Sequence, residues 1–263
     1  MALIKTEIEI EKIRTSSLLV GKTIAEVARH IKPGVTTLAL DKIAEEFIRD
    51  HKAKPAFKGY HGFPATLCIS VNEVVVHGIP GKRELKEGDL ISIDCGTIID
   101  GYFGDSAFSF GLVPVAVELE LLMKRTHDSL LKGIAIIAAG KRVGDIGYEV
   151  QTYVESFGYT VVRDLVGHGL GSSLHEKPEV PNYGRKGNGA KLEAGMVICI
   201  EPMINLGTRQ VTQENDGWTI RTMDRKPSAH FEHAVVIRNN GADILSSFSE
   251  IEQVINPDIL ITR

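Results

Sequence analysis

The chain has 263 residues, of which 43% are hydrophobic and 24% charged, with a formal net charge of −4. These values are ordinary for a soluble protein with one large core, and they argue against a dedicated nucleic-acid binder, which usually carries a strongly basic face. The three cysteines form no C-x-x-C pair, the N-terminus lacks an apolar signal segment, and the longest apolar run (134–139) is too short to span a bilayer, so we expect a cytoplasmic protein with no membrane segment.

Two predicted helices open the chain and strand-like runs follow them. Apolar residues at helical spacing over 5–31 stop before Pro33-Gly34, and Thr36 or Thr37 caps a second helix. The runs TLCISV, NEVVVHGI and DLISIDCG predict strands. A turn at Asp100-Gly101 leads into YFGDSAFSF, which predicts a hairpin.

The same order of elements then repeats. Pro114 opens a helical pattern to about residue 139, Gly144-Asp145 opens another to about 157, and YTVVRDLV begins further strands. EGDLISID (87–94) also aligns with AGMVICIE (194–201), with a carboxylate six residues after the glycine in each. This pattern predicts a single domain over 1–263, built from two related halves of about 1–112 and 113–263 that bring Asp94 and Glu201 to equivalent positions.

Four acidic residues lie in or beside apolar strand runs: Asp94, Asp105, Glu201 and Glu232. Taken singly, each acid fits an edge strand with one face in water. Together they indicate buried carboxylates, which cost several kcal/mol each unless they are paired or bind metal. Two divalent cations would balance four carboxylates, and one added imidazole gives a donor set suited to Mn, Fe, Co or Zn.

Three histidines are candidates for the same site. His168 lies in VGHGLG, His175 lies in SLHEKP, and His77 ends VVVHGIP. Each one taken alone also fits a loop histidine that is bonded to backbone. The sequence contains no P-loop, no G-x-G-x-x-G, no G-x-S-x-G elbow and no H-E-x-x-H helix, which excludes a serine hydrolase and a zincin.

Several blocks in colinear order resemble type I methionine aminopeptidase of peptidase family M24. They are GYHGFPATLCISVNEVVVHGIPG, IDCGTIIDGYFGDSAFSF, VGHGLGSSLHEKPEVPNYG, MVICIEPMI and FEHAVVI. The resemblance covers nearly the whole chain and implies the α+β pita-bread (creatinase/aminopeptidase) fold. In that fold, two pseudo-symmetric halves share a curved antiparallel sheet whose outer face is covered by helices.

The resemblance also implies a role for each site residue. Five residues would bind the metal ions: Asp94, Asp105, His168, Glu201 and Glu232. Of these, Asp105 and Glu232 would bridge the two ions. His77 would hydrogen-bond the substrate near the scissile amide, and His175 would support the carbonyl oxygen, neither acting as a ligand. Glu201 would also carry a proton to the leaving amine.

A pocket for the methionine side chain is implied as well. By resemblance its lining residues are Tyr60, Phe63, Cys68, His77 and Trp218, with contributions from Phe57 and Leu174. Phe57 stands where some bacterial members carry cysteine, and Leu174 stands where several carry phenylalanine, so the outer wall of the pocket departs from the family. In some members a monovalent cation (Na or K) is held at the positions of Asn72, Val74 and Ser228.

The implied activity is removal of the N-terminal methionine from nascent polypeptides with a small second residue, by a monomer that acts near the ribosomal exit tunnel. The short interval between His168 and Glu232, and the absence of an N-terminal Cys/His module, favour the compact bacterial-like form.

Two alternatives stay open. One is a binding protein on this fold that has lost its metals, and the other is a related metallopeptidase of different specificity.

Overall fold

A computed structural model describes residues 4–261 of the chain. The α-helices of this part are α1 (Glu7–Ala28), α2 (Thr37–Asp50), α3 (Val117–Ala135), α4 (Val143–Glu155) and α5 (Ser249–Glu252). The strands are β1 (Lys54–Pro55), β2 (Leu67–Val71), β3 (Val74–Val76), β4 (Leu90–Ile99), β5 (Tyr102–Leu112), β6 (Thr160–Val161), β7 (Gly167–Gly169), β8 (Glu176–Val180), β9 (Val197–Ile200), β10 (Met203–Asn205), β11 (Val211–Gln213), β12 (Ile220–Thr222), β13 (Ser228–His230), β14 (Glu232–Arg238), β15 (Gly241–Ile244) and β16 (Ile259–Ile261).

The first two helices begin at threonine caps. The Thr6 hydroxyl accepts a hydrogen bond from the Glu9 backbone N–H, and the Glu9 carboxylate accepts one from the Thr6 N–H, which completes a capping box before α1. Thr36 accepts a hydrogen bond from the backbone N–H of Ala39 at 3.2 Å, so α2 begins where the sequence predicts. The two predicted helices of the second half are confirmed as α3 and α4.

One antiparallel sheet of ten strands crosses both halves of the chain. Its central order is β1-β4-β5-β14-β9-β7-β8, and β2 pairs with β4, β15 with β14, and β16 with β5. The β4–β5 hairpin turns at Asp100 and Gly101, both with positive φ, as the sequence predicts. Two small three-stranded sheets, β13-β10-β6 and β11-β12-β3, lie beside it.

Two predicted strands are shorter than their apolar runs. Of NEVVVHGI only Val74–Val76 pairs, because Asn72 and His77 have positive φ and turn the chain away at both ends. Of YTVVRDLV only Thr160–Val161 pairs with β10. The run that carries His77 therefore ends in a turn rather than in an extended strand.

The helices cover the sheet face opposite the acidic residues. Helix α1 packs on β4 and β5, and α3 packs against α4 and several strands of the second half. Buried hydrogen bonds fix α1 in place, since the Ser16 hydroxyl donates to the Thr97 carbonyl at 3.0 Å and the Thr97 hydroxyl donates to the Ser16 carbonyl at 2.9 Å. Over residues 4–261, none of the helices has the length and apolar character needed to cross a membrane.

Two helices followed by strands occur twice along the chain. β14 of the second half lies between β5 of the first half and β9 of the second. We propose on this basis that the chain is a single domain whose halves, about 1–112 and 113–263, meet along this sheet.

Candidate metal centre and substrate pocket

Strand register brings the first acidic residues onto one face of the large sheet. Asp94 on β4 lies opposite Ala107 on β5 and opposite Cys68 on β2. Ala107 lies in turn opposite Glu232 on β14. Side chains alternate between the two faces of a strand, so Asp105, two residues from Ala107, points to the same face as Asp94 and Glu232. The hairpin and β14 thus place three carboxylates side by side.

The fourth carboxylate joins them from the next strand. His233 on β14 pairs with Ile200, the last residue of β9, and continuing that register by one residue sets Glu201 opposite Glu232. The Asn182 side-chain amide donates to the Glu201 carbonyl at 2.9 Å and holds the chain as it leaves the strand. We call these four carboxylates, Asp94, Asp105, Glu201 and Glu232, the acidic row.

His168 faces the acidic row from β7. Gly169 pairs with Ile198 on β9, which sets His168 opposite Cys199. A Cβ atom on Gly167 would lie 2.3 Å from the Cys199 carbonyl oxygen, and one on Gly169 would lie 2.3 Å from another backbone carbonyl oxygen. The flanking glycines therefore allow the close backbone approach that brings the imidazole to the carboxylates.

The imidazole of His168 is neutral and leaves one ring nitrogen free of hydrogen bonds to the protein. Its Nδ1–H donates to the Gly169 carbonyl at 2.9 Å, which leaves the Nε2 lone pair free. Nε2 lies 3.7 Å from Asp105 Oδ2 and 3.5 Å from Glu201 Oε1. Burial lowers the pKa of His168 to about 3, so the ring is uncharged near neutral pH and these contacts are not ion pairs.

No basic side chain of the described residues offsets the negative charge that the acidic row would carry when ionised. Burial, reinforced for Asp105, Glu201 and Glu232 by the neighbouring carboxylates, raises their pKa values well above the usual range, and burial raises the pKa of Asp94 to about 7. No lysine or arginine among residues 4–261 forms a salt bridge with any of the four.

The free acceptor atoms fit divalent cations. Asp94 Oδ1, Asp105 Oδ1 and Glu232 Oε1 are buried and have no hydrogen-bond partner among the described residues. One ligand atom each from Asp105, His168, Cys199 and Glu232 lies within 4.8 Å of all the others. Buried carboxylates with free acceptors beside a neutral imidazole form the donor set expected for a transition-metal ion.

A cavity of about 190 Å³ opens onto the acidic row. Every residue assigned by sequence to the metal centre, to substrate contact or to the methionine pocket lines it, including Phe57 and Leu174. The lining is Phe57, Tyr60, Phe63, Cys68, Val76, His77, Asp94, Asp105, Leu165, Val166, His168, Leu174, His175, Glu201, Met203, Trp218 and Glu232.

The inner wall of the cavity is apolar and aromatic. The rings of Phe63 and Trp218 meet edge to face with centroids 5.1 Å apart, and the His77 ring lies 6.3 Å from that of Trp218. His77 has φ 58°, an uncommon value outside glycine, and this turn directs its ring into the cavity as β3 ends. Burial lowers the pKa of His77 to about 4, so this ring is neutral as well.

His175 lies at the mouth of the cavity and differs from His168 in its partner. Its ring centroid is 4.3 Å from that of His168, yet its Nδ1 is hydrogen-bonded to the Tyr60 hydroxyl at 2.8 Å rather than to backbone. His175 is exposed, and no carboxylate of the described chain lies within ion-pair distance of its ring. The geometry thus gives the two histidines different surroundings.

Sequence reasoning missed several residues of this site. The apolar residues Val76, Leu165, Val166 and Met203 add to the cavity wall, and Cys199 lies among the metal-ligating atoms. The signal for Cys199 was present, because it stands two residues before Glu201 on the same strand and therefore points to the same face.

The residues assigned to a monovalent cation lie outside this cavity. The Ser228 N–H donates to the Asn72 carbonyl at 2.9 Å, so these two residues are adjacent. Val74 pairs with Arg221 across β3 and β12.

Comparisons with known proteins identify the family of this chain. The model of metallopeptidase family M24 matches residues 11–239. A methionine aminopeptidase of Clostridium perfringens is 50% identical over 94% of this chain and 99% of its own length, and methionine aminopeptidase 1 of Bacillus subtilis is 46% identical over 94% and 99%. The crystal structure of a methionine aminopeptidase from Rickettsia prowazekii superposes with a TM-score of 0.92 at 41% identity, covering 94% of this chain and all of that one. The expected pita-bread fold is confirmed, and the chain belongs to metallopeptidase family M24, among its methionine aminopeptidases.

Proposed function

We propose that this protein hydrolyses the first peptide bond of peptides and nascent proteins and so releases their N-terminal methionine. One observation carries the proposal: a row of four carboxylates, two buried and two half-buried, and a neutral imidazole line one end of a cavity whose other walls are mostly apolar and aromatic. Such a cavity offers both a place for a thioether side chain and a charged centre where the scissile bond would lie.

The residues that would hold the metal centre are Asp94, Asp105, His168, Glu201 and Glu232. Two divalent ions would balance the four carboxylates, and Co, Mn, Fe and Zn all suit oxygen and nitrogen donors. When bound, such ions polarise the substrate carbonyl and lower the pKa of a water molecule toward neutrality.

Glu201 is the proposed proton carrier. Its carboxylate lies at the edge of the acidic row beside His168, and its backbone is held by Asn182. As the carbon–oxygen bond to water forms, Glu201 accepts the proton of that water. It then delivers the proton to the amine nitrogen as the carbon–nitrogen bond breaks, so that the free carboxyl group of methionine and a new N-terminus result.

Two histidines are proposed to contact the substrate directly. If the Tyr60 hydroxyl donates to Nδ1 of His175, the proton of that ring is on Nε2, where it can donate to the carbonyl oxygen as negative charge develops. His77 lines the same cavity beside Trp218 and is proposed to hydrogen-bond the substrate near the scissile amide.

The methionine side chain is proposed to lie against the apolar wall of the cavity. The residues assigned to that wall are Tyr60, Phe63, Cys68, His77 and Trp218, with Phe57 and Leu174 farther out. The preference for a small second residue is carried over from the family resemblance. The same holds for the compact type I form, the monomeric state, the cytoplasmic location and action near the ribosomal exit tunnel.

A monovalent cation, Na or K, is a further proposal at Asn72, Val74 and Ser228. Its support is the adjacency of the Asn72 carbonyl and Ser228. Measuring activity in buffers that contain only Na, only K or only a bulky organic cation would test it.

The test of the proposed function compares three substrates. Protein reconstituted separately with Mn, Fe, Co or Zn is incubated with Met-Ala-Ser, Ala-Ala-Ser and N-acetyl-Met-Ala-Ser, and released amino acid is measured by mass spectrometry. We expect release of methionine from the first peptide alone. Equal cleavage of the first two would refute methionine specificity, and cleavage of the acetylated peptide would refute recognition of a free amine. No cleavage with any ion would favour the alternative of a binding protein.

A further inference from the structure

The thiol of Cys199 lies beside the proposed metal ligands but has no role in the proposed function. Its residue is 0% exposed, and its sulfur lies within 4.8 Å of a ligand atom on each of Asp105, His168 and Glu232. On β9 it stands two residues before Glu201, so the two side chains point to the same face of the sheet.

A buried cysteine is most often a small apolar core residue. Cys95 is such a residue in this protein and serves as a comparison for Cys199. Cys95 is also 0% exposed, but it pairs with Leu67 and Ser106 and stands next to Asp94 on the strand, so it points to the opposite face of the sheet. It belongs to no group of metal-ligating atoms among residues 4–261. The two thiols therefore differ in surroundings while sharing complete burial.

The atoms around Cys199 point independently to a cation. Asp105 Oδ1 and Glu232 Oε1 are buried, lack a hydrogen-bond partner within the described chain, and belong to residues that are 3% and 2% exposed. The bond lengths of tetrahedral zinc place its ligand atoms about 3.3–3.8 Å apart. Because the four atoms already lie within 4.8 Å of one another, movements of about 1 Å would bring them to that spacing.

We propose that Cys199 is a sulfur ligand of one divalent ion in this centre and biases it toward thiophilic ions such as Zn²⁺ and Cd²⁺. When the ion binds, a sulfur–metal bond forms and the thiol proton leaves to solvent. The inference rests on the proposed function for the presence of a metal, and it adds to the family's oxygen and nitrogen donors one soft donor that favours zinc over manganese.

X-ray absorption on zinc-loaded protein tests this directly. We expect one sulfur neighbour at about 2.3 Å, distinct from nitrogen and oxygen neighbours at about 2.0–2.2 Å. The sulfur signal should persist in the matched control Cys95→Ala and disappear in Cys199→Ala and Cys199→Ser. A wild-type spectrum with only nitrogen and oxygen neighbours would overturn the proposal, and that spectrum decides the matter even if a variant fails to fold.

Ion affinities provide a second readout that does not depend on activity. Cys199→Ser should bind Zn²⁺ at least about tenfold more weakly, while its affinity for Mn²⁺ changes less than about twofold, because the hydroxyl is a hard donor. Equal changes for both ions would contradict the proposal. Full zinc binding without sulfur would refute only the role of Cys199, whereas no binding of any ion would refute the metal centre and the proposed function with it.

Discussion

Substituting His168 and His175 separately should give two different kinds of defect. Their rings lie 4.3 Å apart, but only His168 directs a ring nitrogen at the acidic row, 3.5 Å from Glu201 Oε1 and 3.7 Å from Asp105 Oδ2. The nitrogen of His175 that faces away from Tyr60 is left for the substrate. We therefore expect His168→Ala to lose metal and His175→Ala to keep it.

The magnitudes follow from these roles. Loss of a residue that merely supports a ligand costs about 10–100-fold in metal affinity, so loss of the ligand itself should cost at least about 100-fold. At a free metal concentration ten times the wild-type Kd, occupancy would fall from about 90% to about 10% in His168→Ala. His175→Ala should retain the wild-type metal content while kcat drops by about 10²–10³-fold, the loss typical of one donor to a developing oxyanion.

The assay combines elemental analysis after dialysis at that fixed metal concentration with kcat on Met-Ala-Ser. His30→Ala is the control, since His30 is exposed at the end of α1 beside Glu26 and should leave both quantities unchanged. Equal loss of metal in the two test variants would refute the division of roles. So would a kcat within threefold of wild type in His175→Ala.

Three further outcomes follow from the same contacts. Tyr60→Phe removes the hydroxyl bonded to His175 and should lower kcat about threefold to tenfold at unchanged metal content, since such a bond contributes about 0.5–1.5 kcal/mol. Lys5→Met removes the ammonium group that lies 2.6 Å from the buried Glu176 carboxylate, and it should lower the free energy of unfolding in urea by about 3–5 kcal/mol. The double variant Lys5→Met/Glu176→Gln should recover most of this loss. A single variant as stable as the wild type would contradict the prediction. The pKa values of the acidic row are raised in the folded state, so unfolding releases protons and stability falls as pH rises. Above about pH 7.5 the histidines of the unfolded chain are mostly uncharged and no longer offset this loss. In that range chelator-treated protein should lose about 1.4 kcal/mol per pH unit for each carboxyl that still titrates, and a melting temperature that stays constant between about pH 7.5 and 9 would refute the burial argument.

Short sequence patterns, such as helix caps and turns, predicted the parts of the structure that depend on interactions between neighbouring residues. A threonine cap predicted the start of the second helix, and the Asp100-Gly101 turn predicted the β4–β5 hairpin, because each depends on residues within one turn of chain. Four acids in apolar runs predicted the acidic row, since uncompensated buried charge is costly wherever it occurs. The element order also indicated that these acids would meet between two halves.

Contacts between distant segments could not be derived in this way. The insertion of β14 between β5 and β9 joins Ser106 to the Glu232 carbonyl across 126 residues, and nothing in either strand specifies that neighbour. The Tyr60–His175 hydrogen bond spans 115 residues and depends on a 3-10 turn in which His61 has φ 47°. Such contacts are decided by packing of the whole sheet, which single-segment patterns do not encode.

The placement of the proposed ligands would have a thermodynamic consequence for the whole molecule. Asp94 and Asp105 lie on the β4–β5 hairpin, whereas His168 and Glu232 lie on β7 and β14, and Glu201 directly follows β9. The unfolded chain would not bring these five residues together, so an ion that binds them stabilises the folded state by mass action, about 4 kcal/mol at a thousand times its Kd. The same ion neutralises carboxylates that otherwise repel one another across the seam between the halves. On the proposed ligand set, metal binding would therefore be coupled to the pairing of β5 with β14, and the acidic row would be costly to the fold without the cation.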